Sequence, residues 1–86
     1  MVTTRFRFGS DQVLTRDDIL AFVNCVRDTV NDKTYGAFIQ TNALLSDKLC
    51  ISYVSYLDNT SALKAEAISM AVNANLRIIF GNETDE

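Results

Sequence analysis

The stretch Lys48–Tyr56, KLCISYVSY, is the most strand-like part of the chain. It is rich in β-branched and aromatic residues, holds no glycine or proline, and is bounded by Ser46-Asp47 and Asp58-Asn59. Both of its alternating faces carry apolar side chains: Leu49, Ile51, Tyr53 and Leu57 on one, Cys50, Val54 and Tyr56 on the other. A strand with one face exposed to solvent would not require apolar side chains on both faces, so we predict that the stretch is a central strand.

Five further elements are predicted around this strand. Thr3–Phe8 alternates as a half-buried strand, and Tyr35–Leu45 forms a hairpin with the central strand through the turn at Ser46-Asp47. Leu76–Phe80 is predicted to be a last short strand. The first helix begins after Thr15, which with Asp18 resembles a capping box, and carries an apolar stripe of Ile19, Phe22, Val23, Val26 and Val30. Cys25 is expected at the flank of that stripe, partly exposed.

The second helix is predicted to run to about Asn75 and is apolar on two sides. One face, suited to lying on a sheet, holds Leu63, Ala67, Met70, Ala71 and Ala74. A second apolar strip holds Ala65, Ile68 and Val72. Such a helix in a small protein either lies in a deep groove or meets another chain. We predict that the second strip is a protein interface, with the chain forming a homodimer.

The element order β-α-β-β-α-β predicts an α+β fold, the ferredoxin-like sandwich, with a four-stranded antiparallel sheet and two helices on one face. Another α+β order of the same elements is the alternative. Residues 1–82 would form a single domain and 83–86 an acidic, solvated tail. In this fold Arg5, Arg7 and Arg77 emerge together on the open sheet face beside Tyr53 or Tyr56. The acids Asp17, Asp18, Asp28 and Asp32 lie on the helical side.

Composition limits the classes of function. The chain has 86 residues, of which 48% are apolar and 22% charged, so it is long enough for one modest core. No apolar run approaches the ~20 residues that span a bilayer, and the N-terminus is not a secretory signal, so we expect a cytoplasmic protein. Cys25 and Cys50 lack metal-ligand spacing and are expected to be reduced structural thiols.

Catalytic chemistry is not expected. The chain has no histidine to activate a Ser or Cys nucleophile, and its three glycines cannot form a phosphate-binding loop. Asp17 and Asp18 are adjacent at a helix start, where carboxylates interact favourably with the helix dipole. We therefore do not interpret them as a paired acid–base site. We therefore predict no enzyme activity, no metal site and no cofactor.

Three binding functions remain. The first is a non-catalytic protein-binding module, an adaptor or inhibitor of the kind that viral or plasmid accessory proteins provide, whose partner is not identified by the sequence. The second is single-stranded nucleic-acid binding through Arg5, Arg7, Tyr53 and Arg77 on the open sheet face. The third is a small-ligand regulatory domain using loop asparagines such as Asn31, Asn42 and Asn59.

One segment bears on the nucleic-acid alternative. ISYVSYLDNTSALKAEAISM is loosely similar to the third strand and second helix of RNA-recognition motifs, which would imply base stacking on the sheet. Residues 48–55, however, lack the glycines and the first aromatic residue of that family's signature. We therefore do not assign the chain to that family.

Overall fold

A computed structural model describes residues 1–81 and 84–85 of the chain. The elements, in chain order, are β1 (Thr3–Gly9), α1 (Arg16–Lys33), β2 (Phe38–Ser46), β3 (Leu49–Tyr56), α2 (Ala62–Phe80) and the two-residue β4 (Thr84–Asp85). The predicted boundaries of β1, β2 and β3 differ from these by up to three residues.

The fold is α+β, with two helices and a three-stranded antiparallel sheet in the order β1-β3-β2. The predicted four-stranded ferredoxin-like sandwich is wrong, because residues 76–80 belong to α2 and not to a fourth strand. The element that follows, β4, pairs only with Arg7 and Phe8 at the outer edge of β1. Two residues do not make the full strand that the ferredoxin-like sheet requires.

The last turns of α2 are helical because they continue its buried stripe. Leu76 follows Val72 at a spacing of four residues and is equally buried, so it packs in the core as the next step of the helix. Gly81 then ends the helix with a φ of 67°, and its N–H donates to the Arg77 carbonyl. Only glycine takes up such a backbone conformation readily.

The strand β3 lies between β1 and β2, as predicted for a central strand. Its register places Phe8 opposite Cys50, Phe6 opposite Ser52 and Thr4 opposite Val54. These residues share the face that packs under the helices, since directly opposed residues in an antiparallel pair point to the same side.

The prediction of an acidic tail over 83–86 falls partly outside the described residues, which include only 84–85 of that stretch.

The first helix begins as the sequence indicates. The Thr15 side chain accepts a hydrogen bond from the Asp18 backbone N–H at 3.1 Å, and the Asp18 carboxylate accepts one from the Thr15 N–H at 3.3 Å. This capping box satisfies two N–H groups that the helix itself leaves unpaired. Asp17 and Asp18 both lie in the first turn, where the helix dipole favours negative charge.

The core lies between the sheet and the two helices. Phe8 of β1 stacks on Phe22 of α1, with ring centroids 5.6 Å apart, and meets Phe80 of α2 at 4.3 Å. The two helices are also joined directly, because the Asn75 amide donates to the Thr29 hydroxyl at 2.9 Å. Cys25, predicted to be partly exposed, is buried in this core.

Candidate binding surfaces

The open face of the sheet brings together three of the four residues predicted there. Arg5 lies directly opposite Tyr53, and Arg7 follows two positions later on the same face. Arg5 is exposed and Tyr53 keeps 37% of its surface exposed. Arg77 is not part of this group, because the segment that carries it is helical.

A hydroxyl pair and apolar side chains complete this open face. The Thr3 and Ser55 hydroxyls are hydrogen bonded at 3.0 Å across β1 and β3. Ile39 of β2 lies opposite Ser55 and is exposed. Among the described residues of β1, β2 and β3, only Ile51 is buried on this face. The result is a mixed surface with the exposed Arg5, the half-buried Arg7, one aromatic ring and exposed aliphatic groups.

The predicted protein interface on α2 is corrected by the structure. Ala65, Ile68 and Val72 belong to the hydrophobic core, and Ile68 is only 3% exposed. With Leu76 they form one buried stripe along the underside of α2. Their side chains therefore cannot form a surface of the folded chain.

The face of α2 that was expected to pack on the sheet is the exposed one. Four of its five residues, Leu63, Ala67, Met70 and Ala74, are exposed, whereas Ala71 is half-buried and lines the groove between α1 and α2. These four and the exposed Ile78, which follows Ala74 by four residues, form what we call the outer stripe. Leu63 and Ile78 are each 80% exposed and Met70 is 67% exposed. The sequence correctly indicates a helix that is apolar on two sides, but it assigns the two sides in reverse.

The four acidic residues predicted on the helical side do not form one cluster. Asp17 and Asp28 are exposed on α1 but are separated by 11 residues, roughly 16 Å along the helix axis. Asp28 and Asp32 line an open groove between α1 and α2, together with Lys33 and Asn75. Asp18 is used in the capping box.

The outer edge of β2 is a surface that the sequence interpretation did not single out. β2 pairs with β3 on one side and ends the sheet on the other, within the residues that the structure describes. The Leu57 N–H donates to the Ala37 carbonyl at 2.9 Å. Since alternate residues of an antiparallel strand direct their N–H and C=O groups toward the partner strand, this bond shows which residues of β2 face β3. The backbone groups that point away from β3 are therefore those of Phe38, Gln40, Asn42 and Leu44.

This edge has no charged residue. From Thr34 to Ser46 the sequence TYGAFIQTNALLS contains no Asp, Glu, Lys, Arg or Pro. Nearly all of β2 is exposed, and the ladder is irregular only near its end, between Leu44 and Ser46. The uncharged run is the sequence signal that could have indicated this surface.

A polar contact fastens β2 to α1 beside this edge. The Gln40 amide donates to the Val23 carbonyl at 3.0 Å and is bonded to the buried Ser52 hydroxyl at 3.0 Å. Next to it runs an open groove between α1 and β2, lined by Val23, Arg27, Asp28, Asn31, Phe38, Gln40 and Asn42. Asn31 and Asn42 thus line the same groove, whereas Asn59 lies apart in the segment before α2.

The two cysteines are free and buried. Burial raises the pKa of the Cys50 thiol, and it raises that of Cys25 with a further contribution from Asp28, while a hydrogen bond with Thr29 acts in the opposite direction. Both thiols are therefore less ionised than usual near neutral pH, a state that disfavours nucleophilic chemistry.

Within the described residues, no three His, Cys, Asp or Glu side chains are grouped as metal ligands. Neither α1 nor α2, the helices described, combines the length and apolarity needed to cross a membrane. The predicted absence of enzyme activity stays a prediction.

Comparison of the chain with protein-family models, with curated proteins and with solved structures finds no significant match.

Proposed function

We propose that the chain is a non-catalytic protein-binding domain that takes up an extended segment of a partner protein along the outer edge of β2. The observation that carries this proposal is the uncharged, exposed edge strand Phe38–Ser46. Its outward backbone groups form a row of donors and acceptors that an added strand can pair with.

The composition of this edge favours pairing with a strand of another chain, because it lacks the features that prevent such pairing. Soluble proteins protect free edges with charged side chains, proline or strong bulges, because an unprotected edge pairs with other chains. β2 has neither charge nor proline over nine residues. An edge left in this form is suited to a partner strand.

The side chains around the edge indicate the chemistry of the partner. Ile39, Thr41 and Ala43 share the open face, so a partner strand with β-branched or small apolar residues would pack beside them. On the helical side the groove presents Asn31 and Asn42, which suit an amide side chain, beside Arg27 and Asp28, which are paired with each other at 3.4 Å. We therefore expect a segment that alternates apolar and amide residues.

The experiment combines peptide selection with a backbone-specific variant. Peptides selected from a displayed random library on the full chain supply the ligand, and amide NMR shifts locate it. We expect the largest shifts at Phe38, Gln40, Asn42 and Leu44. Replacing Asn42→Pro removes an outward N–H without breaking the ladder to β3, and should weaken binding about tenfold, the value of one or two hydrogen bonds.

Asn42→Ala is the matched control, because it removes the same side chain and keeps the N–H. It should bind within a factor of about three of the unmodified chain. If the Pro and Ala variants bind equally well, or if no selected peptide shifts the β2 amides, the proposal fails.

A second candidate function is single-stranded nucleic-acid binding on the open sheet face. The specific observation in its favour is the register that sets Arg5 opposite Tyr53, with Arg7 on the same face. A guanidinium beside an aromatic ring suits a phosphate next to a stacked base. The net charge of −3 opposes non-specific attraction, so we rank this candidate second.

Oligonucleotide binding at stepped salt concentrations tests this second candidate. Arg5→Ala with Arg7→Ala should abolish a salt-sensitive complex. Arg16→Ala with Arg27→Ala removes the same charge from α1 and should leave the complex nearly intact. Equal losses from both pairs would indicate general charge attraction instead.

A further inference from the structure

The outer stripe of α2 has no role in the fold of the described chain. Leu63, Ala67, Met70, Ala74 and Ile78 repeat at spacings of four, three, four and four residues, and so follow one side of the helix. The opposite side of the helix carries the buried residues Ala65, Ile68, Val72 and Leu76. A helix on the surface of a small domain needs one apolar stripe only, so the second one indicates a partner.

The order of large and small residues indicates what that partner is. Four of its five residues are symmetric about the midpoint between Met70 and Ala71, and the fifth, Met70, has the neighbouring Ala71 as its counterpart. If a second α2 lies antiparallel across a two-fold axis at that point, Leu63 meets Ile78 of the second copy and Ala67 meets Ala74. The alanines let the helix axes approach closely at those positions, and Met70 packs over the small Ala71 near the axis.

The charges of α2 are compatible with the same arrangement. Its charged residues are Lys64, Glu66 and Arg77. By helical spacing, Glu66 and Arg77 lie on the same flank of the outer stripe, and in an antiparallel pair a flank meets its own counterpart. Glu66 then lies within about 3 Å along the axis of Arg77 of the second copy, so opposite charges face each other.

The third charge does not interfere. Lys64 lies on the other flank, where its ammonium group stands 5.3 Å from the centre of the Tyr35 ring. No charged residue lies within the outer stripe itself. A pattern of this kind fits a copy of the same helix better than a partner with a charged binding face.

We propose that the chain forms a two-fold symmetric dimer through antiparallel contact of the outer stripes of two α2 helices. This dimer leaves the open sheet face and the β2 edge uncovered, because α2 lies on the helical side of the sheet. The inference goes beyond the proposed function and does not depend on it. One helix pair buries less than the ~800 Å² per partner of a standard interface, so we expect a dissociation constant in about the micromolar range.

Analytical ultracentrifugation of the full chain across the micromolar range tests the dimer. The unmodified chain should shift from monomer to dimer with concentration. Met70→Lys places a charge at the centre of the contact and should raise the dissociation constant at least about tenfold, with an unchanged circular-dichroism spectrum. Val13→Lys is the matched control, since Val13 is an exposed apolar residue outside the stripe, and should dimerise normally.

Disulfide trapping tests the antiparallel direction. A chain with Leu63→Cys mixed with a chain with Ile78→Cys should form the mixed disulfide, and Leu63→Cys alone should form little. The proposal is overturned if the unmodified chain stays monomeric at every concentration. It is also overturned if Met70→Lys dimerises as well as the control, or if Leu63→Cys links mainly to itself. A dimer insensitive to Met70→Lys but lost in Asn42→Pro would place self-association on the β2 edge instead.

Discussion

Gly36 is a residue whose missing side chain makes room for a contact at the start of α2. A Cβ atom added to Gly36 would overlap the Asp58 carboxyl group. That carboxylate accepts hydrogen bonds from the backbone N–H of Thr60, at 3.1 Å, and from the Thr60 hydroxyl. The hydroxyl bond is the main reason that the pKa of Asp58 lies below its usual value. No local feature of the sequence names Asp58 as the neighbour of Gly36.

We predict that Gly36→Ala displaces the Asp58 side chain and breaks its contacts with Thr60. The urea midpoint of unfolding should fall, and the pKa of Asp58 should rise towards its ordinary value, as measured by carboxyl NMR titration. Gly9→Ala is the control, because its Cβ would meet Leu49 at an ordinary contact distance of 3.5 Å. An unchanged Asp58 titration in Gly36→Ala would show that the added methyl group is accommodated in another way.

At the scale of the element, α2 is where the sequence interpretation failed. Leu76, Ile78 and Phe80 alternate as a strand would, yet Leu76 also continues the helical spacing from Ile68 and Val72. A five-residue segment with apolar residues at every position except Arg77 satisfies both periods. The helix is selected by the packing of Leu76 in the core and of Phe80 on Phe8. The glycine after Phe80, a common helix terminator, was available as a signal for the helix.

The two interpretations of residues 76–80 give different stabilities for two substitutions. In the helix, Leu76 is buried and Ile78 is 80% exposed, whereas in a strand both would share one buried face. We predict that Leu76→Ala lowers the free energy of unfolding by about 2–4 kcal/mol and Ile78→Ala by less than about 0.5 kcal/mol. Urea unfolding of dilute protein, where any dimer dissociates, measures both. Comparable losses would contradict the helical assignment.

Other elements were predicted well because their signals are local. The Thr15–Asp18 capping box, the alternation of β1 and the hairpin of β2 with β3 each depend on neighbouring residues. Which side of α2 packs inward depends instead on the whole core, so the outer stripe and the buried strip were exchanged. The free edge of β2 likewise follows from the strand order and not from the strand itself.

At the scale of the whole molecule, the surfaces are arranged on different sides of one small core. The β2 edge and the open sheet face adjoin each other, since Ile39, Thr41 and Ala43 belong to both. The outer stripe of α2 lies on the helical side. A dimer formed through α2 would therefore present two β2 edges, and a partner with two binding segments would gain affinity from engaging both.

The buried titratable groups predict how the whole molecule responds to alkali. Cys25, Cys50 and Tyr56 are buried, and burial raises the pKa of each above its ordinary value, 9.0 for the thiols and 10.0 for the phenol. For Tyr56 the neighbouring Thr4 hydroxyl offsets part of this effect. In the folded chain these groups stay protonated at pH values where the unfolded chain has already released its protons.

The sign of the pH dependence follows from this difference. Below pH 9.0 both states are protonated at these groups, and their contribution to stability is fully present. As pH rises above 9.0 the unfolded chain binds fewer protons than the folded chain, so we predict that the free energy of unfolding falls, and falls further above pH 10.0 as Tyr56 contributes. Urea unfolding at stepped pH measures the slope.

A triple variant tests the assignment of this slope; it combines Cys25→Ala, Cys50→Ala and Tyr56→Phe. Its free energy of unfolding should be lower near neutral pH and should fall less above pH 9.0, because the three groups with raised pKa values are absent. Thiol labelling provides a second measurement that does not require this variant to fold. In the unmodified chain both thiols should react slowly with a disulfide reagent near neutral pH and rapidly once urea unfolds the protein. Rapid labelling of the folded chain, or a stability that is constant above pH 9.0, would contradict the buried placement of these side chains in the shared core.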